Sequence, residues 1–217
     1  MKTRQTSKLE TAHGSAVAAP PRPAAKPEKY QRILDAAIEV IADNGYFQAR
    51  VAEIAERAGV ADGTIYLYFK SKEQILMAAI DVAFEAFLQR AKEELQALDD
   101  PCARLRRLAF LHLEAMGANR PLAAVFQTEL RQSAKFLTQF SRRHLVDYFD
   151  LIRDIVRQGQ EQGIFRRDIS DKIAANCFFG ALDEMVTSWI LSEHEYPLAG
   201  AAAPIADLFL RGVETHR

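Results

Sequence analysis

Between residues 50 and 76 the sequence reads RVAEIAERAGVADGTIYLYFKSKEQIL, and here the side chains able to do chemistry are densest. Thr64 and Tyr68 bring hydroxyls, and Lys70 and Lys72 bring positive charge. Gly63 leaves the backbone bare where it must approach a surface, and Gly59 allows a sharp turn between two short helices. Hydroxyls and cations around a short helix are the groups that meet base edges and phosphates of duplex DNA. The helix start at Ser71 adds free backbone amides that can receive a phosphate. The same spacing also fits a plain helix hairpin with no ligand.

Catalytic chemistry finds little footing. The histidines at 13, 112, 144, 194 and 216 are scattered, and no zinc-protease motif, phosphate-cradling glycine loop or nucleophile elbow occurs. Cys102 and Cys177 make neither a disulfide framework nor a zinc cluster. His112, on an apolar helix, reads as a hydrogen-bonded core residue, and Cys177 beside Phe178 as packing. The expectation is a protein that is not an enzyme, with no catalytic residue, metal site or cofactor.

The elements that must position these groups are helices. Tyr30, Ile33, Leu34, Ala37, Ile38 and Ile41 form one buried stripe, ended by Gly45. Short helices follow at about 50–58 and 62–69, with Ile65 and Phe69 turned inward. Ser71 with Gln74 three residues on is a capping-box signature that opens a long helix to about residue 98. Pro101 and Pro121 restart helices, two more span about 141–162 and 171–192, and a last one covers about 202–214 after a break from Pro197 to Pro204. Strand signals are almost absent, so the expected fold is all-α, with nine or ten helices.

Composition sets the outer bounds. The chain has 217 residues, about one and a half domains at roughly 150 residues each. Hydrophobic residues make up 49% and charged residues 26%, which excludes wholesale disorder. No apolar run nears the roughly 18 residues of a membrane span, and no secretory leader is evident, so a cytoplasmic protein with no membrane partner is expected. Net charge is −1, which argues against a general polyanion binder, yet residues 1–72 carry +3 and residues 73–217 carry −4. A basic front on an acidic body suits local attraction to phosphate. Residues 1–27, rich in Ala and Pro, read as a flexible basic arm.

The runs ILDAAIEVIADNGY (33–46) and EIAERAGVADGTIYLYFKSKEQIL (53–76) resemble the DNA-binding domain of the TetR family of bacterial regulators. The resemblance implies a three-helix helix-turn-helix domain at 28–72 and a helical effector-binding and dimerisation domain at 73–217. It implies that Ala61, Gly63, Thr64, Tyr66, Leu67 and Tyr68 face DNA, with Arg50 near a phosphate and Lys70 and Lys72 adding charge, Lys72 at the family's phosphate-binding lysine. Asp62, negative beside DNA, reads as the cap of the recognition helix.

ELRQSAKFL (129–137) and GALDEMVTSWILSEHEY (180–196) further resemble the acyl-CoA-responsive, fatty-acid-degradation repressors of that family. The implied effector is a long-chain acyl-CoA. Phe110, Met116, Phe126, Leu130, Phe136 and Trp189 are the expected tunnel residues, with Leu111 and Leu137. Arg104, Arg106, Arg107, Arg120 and Arg131 are the candidate cations for its phosphates; each of these residues also suits an ordinary core or ion-pair role. Glu129 or Arg131 can pair with Asp183 or Glu184 of a neighbouring helix, Arg131 with Glu184 being an expected latch. The helices near 141–162 and 171–192 resemble the family's dimer helices, with Leu145, Phe149, Ile152, Ile155, Phe178, Ala181 and Met185 as interface. A homodimer would set two recognition helices roughly 34–36 Å apart on palindromic operator DNA. The alternative function is a regulator of efflux, or of another metabolic system, responding to a different small lipophilic effector.

Overall fold

The computed structural model describes residues 27–132, 144–194 and 196–215. The expected arm, up to residue 26, and the tunnel residues Phe136 and Leu137 lie outside the described residues. Pro27, assigned to that arm, instead opens the first helix.

Among the described residues there are ten α-helices and one 3-10 turn, and the only β pairing is the isolated bridge Phe165–Glu214. They are α1 (Pro27–Asn44), α2 (Val51–Ala58), α3 (Asp62–Tyr68), α4 (Lys72–Gln96), α5 (Pro101–Gly117), α6 (Arg120–Gln127), α7 (Glu129–Gln132), α8 (Val146–Glu161), α9 (Asp171–Leu191), the 3-10 turn Leu198–Ala201 and α10 (Ala202–Val213). Local chemistry sets most of the ends. Ser71, Asp100, Asn119 and Ser170 each accept a backbone N–H from the first turn of the helix they open. Pro204, expected as part of a break, sits in the first turn of α10, where its missing N–H leaves no bond unmade.

The three front helices form a small cluster on α4. Ile33, Leu34, Ile41, Ile54, Ile65 and Ile75 are all essentially inaccessible to solvent. Gly59 ends α2 in the left-handed region (φ 63°): its N–H reaches Glu56 O, and the Val60 N–H reaches Ala55 O. This double bond pattern closes the helix and fixes the turn into α3. Arg32 reaches from α1 to donate to the Ala58 and Gly59 carbonyls, placing a cation on the negative end of α2.

The front cluster is fastened to the rest of the molecule. α1 packs on α6 as well as on α2 and α4, while α5 runs through the body against α4, α8, α9 and α10. One hydrophobic core is therefore continuous from Ile33 to Val213.

Candidate functional site

Two places bring together the residues singled out from the sequence: the outer face of α3 and a cavity in the body. On α3 the helical period divides the side chains cleanly. Ile65 and Phe69 face the core, at 1% and 5% exposure, while Tyr66 and Leu67 stand out at 60% and 76%. Ala61 and Gly63 are exposed beside them, Lys70 is exposed just beyond, and Thr64 and Tyr68 are half-buried. Among the described residues nothing lies within 4 Å of where a Cβ on Gly63 would stand, so no tertiary contact among them requires the glycine. Phe47, in the turn after α1, adds an exposed ring at 79% that the sequence reading passed over. Tyr30 packs on Tyr68 and Phe69, with ring centroids 6.1 and 5.2 Å away, and so braces α3 from behind.

Two expectations on this face, those for Asp62 and Lys72, need correction. Asp62 does not cap α3: Ala61 holds the cap position, and Asp62 is the first helical residue, where its charge still suits the positive end of the helix. Arg50 precedes α2 with its side chain 80% exposed, but its backbone N–H is bonded by Glu53 Oε2 at 3.0 Å and its Nε lies 3.4 Å from Glu53 Oε1. Lys72 differs most from expectation. Its Nζ donates to Tyr46 O, to Ala49 O at 2.6 Å and to Phe47 O at 3.3 Å, and sits 4.6 Å from the Tyr46 ring centroid. Burial lowers its pKa from the ordinary lysine value, against the opposing charge of Glu53. An ammonium has three donors, and all three point at the turn joining α1 to α2. Lys72 is a clamp on that turn.

The cavity, of about 450 Å³, lies between α4, α5, α6, α7, α8 and α9. Met116, Phe126, Leu130 and Arg131 line it as expected. Phe84 and Phe87 of α4, whose helical spacing marks only a buried stripe, and Phe179 of α9, which the sequence did not single out, supply much of its apolar wall. Leu145, expected at a dimer interface, lines it too. Trp189 and Phe110 do not. The Trp189 indole donates to Tyr196 O at 2.9 Å beneath the Arg120 guanidinium, and Phe110 lies under Arg107.

Polar groups cluster at one side of the cavity. His112 and Tyr148 share a hydrogen bond of 2.9 Å. Burial pushes the imidazole down to about 4 from 6.5, only partly opposed by Asp183, and raises the phenol well above its ordinary value. His112 is therefore neutral at pH 7. Gln127 donates to Asp183 Oδ1 at 2.9 Å, and Arg131 donates to Asp183 Oδ2. Of the two partners open to Arg131, the latch is made with Asp183 and not with Glu184; one step along α9 turns a side chain by about 100°, and Glu184 points to solvent.

The other candidate cations are engaged elsewhere. Arg104 meets Gln158, Arg106 meets Asp207, and Arg107 meets Glu94. Arg120 donates to the Ile190 and Ser192 carbonyls at the end of α9. Of the five, only Arg131 lines the cavity. The dimer expectation also changes. Ile152, Ile155 and Phe178 have no exposed surface within the protomer, and Phe149 and Met185 are half-buried; Ala181 is exposed.

Residues 33–79 match the family described as bacterial regulatory proteins, tetR family, and residues 81–212 match the C-terminal region of YsiA-like proteins of the same family. The fatty acid metabolism regulator protein of Bacillus subtilis is 36% identical over 188 residues, covering 87% of this chain and 97% of that one. The chain belongs to the TetR family of regulators.

Solved structures agree. The fatty acid degradation regulator FadR from Bacillus halodurans is 37% identical, covers 84% of this chain and 98% of its own, and superposes with a TM-score of 0.78. FadR from Bacillus subtilis in complex with stearoyl-CoA is 36% identical, covers 85% of this chain and 100% of its own, and gives a TM-score of 0.79. Among the described residues of this TetR-family chain, no helix is long and apolar enough to cross a membrane.

Proposed function

We propose that the protein is a transcriptional repressor of fatty-acid-degradation genes, released from operator DNA by long-chain acyl-CoA. The observation that carries this reading is the cavity: aromatic and aliphatic walls suit an acyl chain, and Arg131 supplies a cation at its edge. Similarity to a regulator crystallised with stearoyl-CoA supports the choice of ligand. Asp183 would favour a cationic effector were it unpaired, but its two oxygens already accept from Gln127 and Arg131. DNA would meet α3 through Gly63, Thr64, Tyr66, Leu67 and Tyr68, with Ala61, Arg50 and Lys70 at the flanks. Chromosomal operators would place this work in the cytoplasm.

The proposed assembly is a homodimer on a palindromic operator. Its pairing face is the exposed stripe of α9, where Ile173, Cys177, Ala181, Glu184, Ser188 and Leu191 recur at helical spacing. Small residues at its centre let two helices approach closely. Ligand entry beside Phe84 and Phe87 would tilt α4, which begins at the reading head, and so move the two heads out of register. The ligand acts only through binding the released form better; a 100-fold loss of operator affinity corresponds to about 2.7 kcal/mol.

The deciding experiment is an operator titration with and without saturating stearoyl-CoA, using a lipophilic cationic dye as control. Release by the thioester and not by the dye is the expected result. Release by the dye alone would favour an efflux-type regulator, and absence of any selected operator would remove the DNA-binding reading.

A further inference from the structure

Glu129 opens α7 immediately before Leu130 and Arg131, both of which line the cavity. Its own carboxylate reaches away from the cavity to the front cluster. Oε2 accepts the Tyr46 backbone N–H at 3.0 Å, and Oε1 lies over Gly45, the left-handed residue (φ 76°) that follows α1. Tyr46 belongs to the turn that Lys72 clamps from the other side, and that turn ends at Arg50, the residue capping α2.

We infer that Glu129 is the positioning residue that carries the state of the cavity to the DNA-reading head, by a route separate from α4. The inference rests on the effector reading above and adds to it. Leu130 is buried and Arg131 is tied to Asp183 on α9, so a ligand that enters between α7 and α9 must displace one of them. An anionic ligand group competes with Asp183 for the Arg131 guanidinium. Glu129 is continuous with both residues in one short helix and moves with them. A hydrogen bond of 3.0 Å is lost with a shift of well under 1 Å. The turn then loses its tie to α7 while keeping Lys72 and its own backbone bonds, and α2 with α3 can shift from its operator-bound placing.

The test uses the full-length protein and two variants, Glu129→Ala and Glu129→Gln; the glutamine keeps an oxygen that can accept the same N–H. Operator affinity is measured with and without stearoyl-CoA, and stearoyl-CoA binding is measured separately. In the wild type the ligand should weaken operator binding by about 100-fold. In Glu129→Ala, which lacks the link from the outset, operator binding without ligand should already be weaker while stearoyl-CoA still binds, so the ratio should fall below about tenfold, and Glu129→Gln should restore most of it. Amide hydrogen exchange at Tyr46 in the ligand-free protein should quicken in the alanine variant and not in the glutamine variant.

An unchanged release ratio in Glu129→Ala with normal stearoyl-CoA binding, or unchanged exchange at Tyr46, overturns the link. If stearoyl-CoA leaves the wild type on its operator, the acyl-CoA reading fails by itself. The link is then decided by Ala115→Trp, which puts an indole into the cavity in the ligand's place. Its loss of operator affinity should require Glu129, and an equal loss in the Glu129→Ala background overturns the link.

Discussion

Lys72 and Glu129, from opposite parts of the chain, hold the two sides of one residue: Lys72 Nζ donates to the Tyr46 carbonyl, and Glu129 accepts the Tyr46 N–H. Their joint target is the turn between α1 and α2. The turn that leads into α2 and α3 is thus tied to the body by one cation from the start of α4 and one carboxylate from the start of α7.

Replacing Lys72 by Met removes the cation and leaves the carbonyls of Tyr46, Phe47 and Ala49 without their shared donor. A loss of about 2 kcal/mol in folding stability is expected, in the range for hydrogen bonds to a charged group. Urea unfolding measures it. A phosphate contact would instead lower the slope of log affinity against log salt by about one on substitution. For Lys72→Met that slope should stay at the wild-type value.

Gly63→Ala separates folding from DNA binding. Among the described residues no neighbour lies within 4 Å of the added methyl group, and alanine is the better helix former by about 1 kcal/mol. The variant should unfold no more readily than the wild type, yet bind operator at least about tenfold more weakly, about 1.4 kcal/mol. Anisotropy titration beside a thermal melt checks both.

His112 makes stability depend on pH. The unfolded imidazole titrates near 6.5 and the folded one at about 4, so between these values the unfolded state binds a proton that the folded state refuses. Stability contributed by this group is complete above pH 6.5, falls as pH drops through the window, and is lost at about pH 4. The total is roughly 3 kcal/mol at about 1.4 kcal/mol per unit. Carboxylates titrate in the same range, so the difference between wild type and His112→Gln isolates the term. Parallel stability curves for the two proteins would contradict it.

Gly159→Ala should be among the most damaging small changes. A Cβ there would lie 2.1 Å from the Phe165 ring, which is itself 1% exposed. The chain after α8 folds back so tightly that the Ile164 and Phe165 N–H groups both reach Gly159 O, at 2.9 and 3.0 Å. Overpacking of this kind costs about 1–3 kcal/mol. A shift of the urea midpoint with unchanged slope would report it.

Ala181→Glu addresses assembly. Ala181 is exposed on the α9 stripe. On the proposed pairing face it would bring two like charges together near the two-fold axis. The expected outcome in sedimentation is a folded monomer with weakened operator binding; a dimer of wild-type stability would move the interface elsewhere.

The sequence by itself determined the helices and their ends, because both are local. Apolar residues at helical spacing, Ser71 with Gln74, Gly45, Gly59 and Pro101 each act within a few residues, and the helix boundaries follow them closely. The outward face of α3 was legible for the same reason, since Ile65 and Phe69 leave only one side for Tyr66 and Leu67. Tertiary structure decided what each apolar stripe faces. Phe84, Leu145, Ile152 and Phe178 obey the same periodicity, yet two line the cavity and two fill the core, because periodicity names a buried side without naming its neighbour. Charge partners were likewise settled in three dimensions: Arg131 meets Asp183, Arg120 closes the end of α9, and Lys72 and Glu129 converge on Tyr46 from distant positions in the chain. Such pairs form across packed helices, where the rotation and spacing of whole elements, set by the core, bring two charges within reach.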